Sequence, residues 1–268
     1  MNLKNIASVS TIILASAALG FAEEAPKEIN ALIGNASLGE IVKNFSFSAT
    51  ADYESEFIFR GKQLAERTIA PQVDVGYDFG SGFAAYAGWW GCFSTDDTAG
   101  SYKENDLYAG LTYSIENFTI DFGYTAYTYP DAGSTNEHEL KIALSYDTSE
   151  FLGDFAVSPY VAYYYNLTYS GSVIEGGLSY SAPITKWVID ETWGTLDLAV
   201  AGGYGDYKGG LADGGFAYLM TSADVSVAIT DNWSISAGGR YSINNDASYT
   251  LDGHKSNLWF GAKTSVGF

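Results

Sequence analysis

The end of the chain, residues 257–268, constrains the fold more than any other stretch, because its side chains alternate between two characters. Every second position from Leu258 onward is apolar or Thr, and the positions between them include Gly261, Lys263 and Ser265. A repeat of two residues is that of a β-strand with one apolar face. A length of about ten residues is what a tilted strand needs to cross a bilayer. The stretch therefore predicts a strand with one side in lipid.

The same alternation runs almost without interruption from residue 45 to residue 268. It is clear at the start, where Phe45 and Phe47 alternate with Ser46 and Ser48. The predicted fold class is therefore all-β: a transmembrane antiparallel up-and-down β-barrel of about 12 strands, with short periplasmic turns and longer extracellular loops. Residues 182–194 are expected to form the one long connection on the short-turn side.

Charged side chains fall on one row of each predicted strand. A charge that faces lipid at mid-membrane costs roughly 2–4 kcal/mol, so a lipid-facing row has to exclude charges. Aromatic residues gather near the predicted strand ends, as in the interfacial girdles of membrane proteins. They are Phe79, Phe83, Trp233 and Phe268 near the turns, and Phe57, Trp89, Tyr129, Tyr204 and Tyr241 near the loops. The rival architecture is a secreted soluble β-sandwich or barrel, which would stay soluble without detergent.

The composition narrows the possible partners. The chain of 268 residues carries 13 basic and 32 acidic side chains, a formal net charge of -19. This excess argues against nucleic acid as a partner and against docking on anionic lipid head groups. Apolar residues are frequent but form no run of 18 or more, so the sequence predicts no transmembrane helix.

The amino-terminal part differs from the rest. Residues 1–22 have an early Lys4, an apolar middle and small residues at their end, which is typical of a secretory signal peptide. Residues 23–44 are polar with apolar positions at roughly helical spacing, and they are either a periplasmic segment or a plug inside the lumen. Residues 45–268 form the predicted barrel. Cys92 is the single cysteine, so it has no intramolecular disulfide partner, and we assign it no role.

Residues 53–61, Tyr-Glu-Ser-Glu-Phe-Ile-Phe-Arg-Gly, resemble the opening strand of the TorF-type family of putative porins. The family continues with a strand and a Gly-rich hairpin, to which residues 71–88 are similar. An alternating last strand that ends in Phe268 also resembles the signal by which bacterial outer-membrane barrels are recognised for assembly. These resemblances imply a location in the bacterial outer membrane and, by inference, a porin.

The predicted inward-facing rows are acidic overall. A negative excess in a pore raises the local concentration of cations and disfavours anions. The sequence therefore predicts a porin-like channel for passive diffusion of small hydrophilic solutes or cations, without a cofactor or metal. Inward tyrosines would narrow a lumen of twelve strands or stack on sugar rings. The candidate lumen and selectivity residues are Asp52, Glu54, Glu56, Arg60, Asp74, Asp121, Lys141, Glu175, Asp197, Asp224, Arg240 and Lys263.

Other interpretations of the lumen residues and of the function remain open. Asp52, Asp224, Arg240 and Lys263 can instead pair within the wall, because the strands that carry them become neighbours when the barrel closes. A non-conducting structural or adhesive barrel is the main functional alternative. An outer-membrane hydrolase is less expected, because the only histidines, His138 and His254, fall in predicted loops. The expected partners are outer-membrane lipid, the barrel-assembly machinery, small solutes or ions and, as one option, further copies of the chain in a homo-oligomer.

Overall fold

The computed structural model describes residues 43–95, 102–130, 135–185, 192–207, 212–249 and 253–268. The strands are β1 Phe45–Phe59, β2 Lys62–Gly80, β3 Phe83–Ser94, β4 Lys103–Ile115, β5 Phe118–Thr128, β6 Glu137–Tyr146, β7 Val157–Asn166, β8 Gly171–Thr185, β9 Thr192–Tyr207, β10 Ala212–Thr230, β11 Trp233–Asn244 and β12 Ser256–Gly267. They form one closed antiparallel barrel in sequence order, with β1 paired to β12. The predicted fold class is confirmed. The predicted signal peptide and almost all of residues 23–44 lie outside the described residues.

The two ends of the barrel differ in their connections. The turn end carries the two-residue turns at 81–82, 116–117 and 231–232, and the opposite end is the loop end. β1 begins at the turn end and β12 ends there. There the backbone N–H of Phe47 donates to the carbonyl of Phe268 (3.1 Å), and the N–H of Phe268 donates to the carbonyl of Phe47 (2.9 Å). The last residue of the chain thus takes part in closing the barrel.

The turn end also has a longer connection, between β6 and β7, that was not predicted from the sequence. Residues 147–156 contain a short helix, α1 Ser149–Leu152, followed by the 3₁₀ turn Gly153–Phe155. The side chain of Asp147 accepts a hydrogen bond from the N–H of Ser149 (2.8 Å), so this carboxylate belongs to the connection and does not line the lumen. The expectation of a single long connection at this end is therefore wrong, and β8 and β9 extend into residues 182–194 from both sides.

The loop end contains a two-residue turn between β1 and β2, in addition to the four-residue turn at 167–170 between β7 and β8. Arg60 (φ 49°) and Gly61 (φ 75°) both adopt the left-handed conformation, as the central residues of a type I′ hairpin turn do. Longer loops were predicted for this end of the barrel. In the sequence, the strict alternation breaks after Arg60 and resumes at Ile69. Two irregularities explain the break: the register shifts after Phe57, and Arg67 (φ 47°) is left-handed.

The outer surface of the barrel is apolar on every strand. Leu111 and Phe122 are cross-strand partners on this surface and are 58% and 54% exposed. Large apolar side chains are exposed in the same way from all twelve strands. Soluble proteins rarely expose a contiguous apolar patch of more than a few hundred Å². An apolar surface that encircles the molecule fits a lipid bilayer and excludes the soluble sandwich.

Aromatic rings cluster around the turn end. Phe83 lies against Tyr113 with 4.3 Å between ring centroids, and Phe118 lies against Tyr146 at 4.5 Å. The indole N–H of Trp233 donates to the hydroxyl of Thr264 (2.8 Å). Rings with an apolar body and a polar edge prefer the membrane–water interface. Among the described residues, no helix is both long enough and apolar enough to cross a membrane.

A charge on the outer surface tests the lipid-facing assignment. Replacing Leu111 with Lys places an ammonium group against lipid and should lower the free energy of unfolding by roughly 2–4 kcal/mol. Thr112→Lys is the matched control, because the neighbouring residue faces the interior, where Asp121 is its cross-strand partner. Urea unfolding in lipid vesicles measures both variants. Equal effects of the two substitutions would contradict the assignment of the faces.

Candidate functional site: the barrel lumen

The candidate site is the lumen, whose lining follows directly from the strand register. Positions that are cross-strand partners face the same side of a sheet, so one inward residue identifies the next around the barrel. This places all twelve lumen candidates of the sequence analysis on the inner face or, for Arg60, on a turn that enters the lumen. The register does not test their part in selectivity. Charge is not spread evenly along the barrel axis.

Four inward tyrosines each lie over a glycine on the adjacent strand. Tyr86 covers Gly110, and a Cβ built on that glycine would lie 2.3 Å from the phenol ring. A side chain larger than hydrogen at such a glycine would displace the ring, so the glycine allows the tyrosine to lie flat along the wall. The four pairs, each made of direct cross-strand partners, are Tyr86 and Gly110, Tyr108 and Gly88, Tyr160 and Gly177, and Tyr218 and Gly203.

Each of these tyrosines donates its hydroxyl hydrogen bond to a carboxylate of the lumen. Tyr86 donates to Asp121 (2.9 Å), which also forms an ion pair with Lys141 (2.6 Å). Tyr160 donates to Glu175 from one side (2.9 Å), and Tyr218 donates to the same carboxylate from the other. Hydrogen bonds to a charged acceptor are about twice as strong as neutral ones. The tyrosines therefore fix the acidic groups to the wall.

The same arrangement holds Asp74, which accepts hydrogen bonds from Tyr108, Gln72 and the hydroxyl of Ser48 (3.1 Å). Asp197 differs, because its partners are the hydroxyls of Ser181, Thr195 and Ser226. Asp197 belongs to the turn-end half of the lumen, where small hydroxyl side chains dominate and most positions are only half-buried. This half forms a polar vestibule.

Arg240 holds a charge network between the strands that close the barrel. Its guanidinium lies 3.0 Å from Glu54 on β1 and 3.1 Å from Asp224 on β10. These contacts support the reading in which Asp224 and Arg240 pair within the wall. Lys263 is the cross-strand partner of Asp52, but the structure shows no direct ion pair between these two side chains. Asp52 and Glu54 each have one carboxylate oxygen that is buried without a hydrogen-bond partner, Oδ1 and Oε2 respectively.

The loop-end half of the lumen is filled by the β1–β2 hairpin, which we call the inner hairpin and define as residues 55–67. The register of β1 with β12 ends at Glu54, and the register of β2 with β3 ends at Thr68. Between those points the hairpin pairs in register only with itself. Arg60, Lys62 and Gln63 at its tip are only 5%, 7% and 5% exposed. The tip therefore lies inside the barrel.

Arg60 joins the tip to the opposite side of the wall. Its guanidinium donates two parallel hydrogen bonds, each 2.8 Å, to the carboxylate of Glu139 on β6. It also lies over the ring of Tyr164 on β7, 3.9 Å from the ring centroid. In a ring of twelve strands, β7 lies opposite β1 and β6 is the next strand along. Arg60 thus bridges the whole width of the lumen.

Further contacts seat the tip against the remaining wall. The side-chain amide of Asn244 on β11 donates to the carbonyl of Gly61 (2.8 Å), and a Cβ on Gly61 would lie 2.4 Å from Cβ of Tyr218. Phe57 packs on Trp90 (5.4 Å between centroids), and Phe59 on Tyr127 (6.3 Å). Phe57 was predicted to join the aromatic girdle near the loops, and Phe59 continues the same apolar row of the sequence. Neither ring faces lipid, because the hairpin bends inward, so the girdle prediction for Phe57 is wrong.

A cluster of carboxylates surrounds the tip, and part of it was missed from the sequence. Glu104 and Asp106 are 5% and 7% exposed and face Glu137 and Glu139 across β5. Neither residue was among the predicted lumen candidates. Extending the alternation backward from the inward Tyr108 would have found them. We call Glu104, Asp106, Glu137 and Glu139 the acidic cluster.

Two tyrosines next to the strand ends remain protonated beside this cluster. Burial, followed by the neighbouring Glu104 carboxylate, raises the pKa of the Tyr102 phenol far above its ordinary value. Burial and the same carboxylate also raise the pKa of Tyr129. Tyr102 accordingly donates to Glu104 (2.6 Å), and Tyr129 lies 3.4 Å from an oxygen of Glu137. The hydroxyls cap the acidic cluster at the loop end, so the prediction that Tyr129 belongs to the outer girdle is wrong.

The closed barrel, its apolar outer surface and its polar interior define an outer-membrane β-barrel. The chain belongs to the family described as "Bacterial protein of unknown function (Gcw_chp)", whose profile matches residues 40–226. The predicted TorF-type resemblance is not confirmed by this match. No curated protein matches the chain.

Solved structures with the same fold are distant in sequence. The translocator domain of the autotransporter NalP from Neisseria meningitidis is 13% identical, with a TM-score of 0.52 over 90% of this chain and 92% of that one. An outer membrane channel from Pseudomonas putida F1 is 12% identical, with a TM-score of 0.52 over 84% and 96%. LpxR from Salmonella typhimurium is 7% identical, with a TM-score of 0.51 over 82% and 99%. These likenesses establish the fold alone.

The tyrosine and glycine pairs make a specific prediction. Gly203→Ala should displace Tyr218 from the wall and weaken its hydrogen bond to Glu175, lowering the free energy of unfolding by about 1–3 kcal/mol. Gly239→Ala is the matched control, because no atom lies within 4 Å of a Cβ built on that glycine. Unfolding in urea measures both. A loss of stability in the control as large as that of Gly203→Ala would contradict the steric role of the pair.

Proposed function

We propose that the protein is a porin-like channel of the TorF type that lets small hydrophilic solutes, and cations in preference to anions, diffuse across the outer membrane. The observation that carries this proposal is the excess of carboxylates on the inner face of a closed barrel. Among the described residues, the acidic cluster adds to the predicted carboxylates, whereas Lys62 is the one additional cationic side chain of the lumen. Fields of one sign in a confined low-dielectric space concentrate the opposite ion.

The polar vestibule supports the same proposal. Hydroxyl side chains such as Thr50 and Ser265, which lie 3.0 Å apart across the β1–β12 seam, offer donors and acceptors to water. A carboxylate in this half, Asp197, is held by three hydroxyls and keeps its charge directed into the lumen. A solute that enters from the turn end therefore meets a hydrated, negatively charged path as far as the inner hairpin.

The main alternative is a non-conducting barrel that acts through its surface. It is favoured by the same hairpin, because the tip occupies the loop-end half of the lumen in this conformation. We expect no catalytic activity. His138, which was predicted to lie in a loop, is in β6, where it faces outward opposite Ala126 and forms a 2.7 Å hydrogen bond with the lipid-facing Tyr124. A pore and a closed structural barrel differ in whether any ion crosses the membrane.

Planar-bilayer conductance under a salt gradient tests the channel. We expect the full chain, purified from outer membranes, to give a reversal potential on the cation side. Asp197→Asn should move that potential toward zero, because it removes a vestibule charge. Asp147→Asn is the matched control, since this carboxylate accepts a hydrogen bond from the N–H of Ser149 in the connection outside the lumen. Anion preference would contradict the acidic-pore proposal.

If the full chain conducts no current, a second measurement is needed before the channel proposal is rejected. Residues 23–44 are proposed either to lie in the periplasm or to plug the lumen, and their deletion separates the two roles. Two variants are compared, one without residues 23–44 and one with a shortened inner hairpin, and heat-modifiable migration shows that each has folded. If neither variant conducts current, the structural alternative replaces the channel.

A further inference from the structure

We propose that the inner hairpin is a tethered cationic plug, whose Arg60 and Lys62 occupy a cation-binding site formed by the acidic cluster and whose withdrawal opens a cation-selective pore. This inference rests on the proposed channel function and names the ligand class of the same lumen: monovalent cations take the place of the two tethered charges when the tip leaves.

The backbone of the inner hairpin is only weakly joined to the wall. Its two neighbours in the barrel, β12 and β3, stop pairing in register with it at Glu54 and Thr68. At the base, the N–H of Thr95 donates to the carbonyl of Arg67 (2.7 Å), and the N–H of Phe260 donates to the hydroxyl of Ser55 (3.1 Å). A hairpin that pairs with itself keeps its own hydrogen bonds wherever it lies. Movement about this base leaves the twelve-strand ladder intact.

The charges of the tip are those that a permeating cation would supply. Arg60 neutralises Glu139 through a bidentate ion pair. Lys62 lies within electrostatic range of Glu137. Asp106 has an oxygen, Oδ1, that is buried and has no hydrogen-bond partner, which is a costly arrangement for a carboxylate. The cluster therefore has four carboxyl groups against the two cations of the tip, and Asp106 offers an unused oxygen to a further cation.

Withdrawal of the tip exposes the whole cluster. Arg60 and Lys62 leave together because one turn carries both, so Glu104, Asp106, Glu137 and Glu139 then face water without a fixed counter-ion. Rings of acidic side chains are a common basis of cation selectivity in pores. The acidic cluster thus binds the tip in the closed pore and selects cations in the open pore.

The contacts between the tip and the wall are specific enough to define a closed state of the pore. The carbonyl of Gly61 accepts from Asn244, and the glycine fits against Tyr218 with no room for a side chain. Arg60 stacks on Tyr164, and Lys62 lies 5.4 Å from the centroid of Phe216. These contacts come from strands that are not sequence neighbours of the hairpin. They form only when the tip is inside.

The first test weakens the lock between the tip and the wall. Glu139→Gln and Arg60→Ala, each in the full chain, should raise the open probability in planar bilayers roughly tenfold or more, the factor expected from losing one charge-assisted pair. Lys255→Ala is the matched control, because this lysine carries the same charge at the loop end and binds the carbonyl of Asn245, outside the hairpin. Open probabilities that match the full chain in both lock variants would overturn the lock.

The second test removes the tip. Replacing residues 57–65 with Asn-Gly joins the cross-strand partners Glu56 and Glu66 through a two-residue turn and deletes both cations. We expect larger conductance and a higher ratio of potassium to chloride permeability than in the full chain. Adding Asp106→Asn and Glu137→Gln to the shortened barrel should lower that ratio again. Because potassium chloride is the probe, no other ligand is required.

The outcomes separate the plug from the channel. Conductance of the shortened barrel equal to that of the full chain overturns the plug and leaves the channel standing. An unchanged permeability ratio in the presence of larger conductance overturns the cation site. If the shortened barrel conducts no current although heat-modifiable migration shows that it has folded, both the channel and the plug are overturned. Restoration of low open probability by Arg60→Lys would show that charge without a bidentate fork is sufficient for the lock.

Discussion

The structure depends on one constraint: lipid offers no partner for a charge or a backbone hydrogen bond. Strands in a bilayer must close into a barrel to satisfy their backbone, and their polar side chains must all point inward. Twelve strands enclose more space than a narrow eight-stranded barrel, whose interior is filled by side chains. The inward side chains therefore have to be hydrated, paired or packed, and the protein uses all three solutions along its axis.

The inward carboxylates show how these solutions are divided. At mid-barrel they are fixed by tyrosines that lie flat over glycines, as Tyr86 does over Gly110 while it donates to Asp121. At the turn end they are held by small hydroxyls and stay near water, as Asp197 is. At the loop end they are compensated by charges that come from the inner hairpin. The abundance of Tyr and Gly in the chain thus has a structural cause.

The alternation of the sequence was sufficient for the fold and for the facing of most lumen residues. A two-residue period and the exclusion of charge from one row have few solutions, and Asp74, Glu175 and Arg240 follow from them directly. The inner hairpin could not be predicted in this way. Phe57 and Phe59 continue the apolar row of β1, and only the inward bend of the hairpin, which stops pairing with β12 after Glu54, brings them to Trp90 and Tyr127.

Partner choice within the lumen was also beyond the sequence. Arg60 and Glu139 are 79 residues apart, and their pairing depends on the width of the barrel and on the bend of the hairpin. Pairing between Asp52 and Lys263 was favoured by their register, yet the structure uses Arg240 to join Glu54 and Asp224 instead. Register decides which residues face the same space. Side-chain length and competing partners decide which of them bind.

The energetics of the inner hairpin explain why a bound plug need not be a permanent one. Burying Arg60 and Glu139 removes both from water, and the desolvation cost of a buried pair is comparable with its Coulombic gain. What favours the bound tip is therefore chiefly the packing of Phe57, Phe59 and Gly61 against wall aromatics. Outside the barrel the charges regain hydration while the hairpin keeps its own backbone hydrogen bonds. Large opposing contributions of this kind leave a small difference between the two positions, and a small difference is what a gate requires.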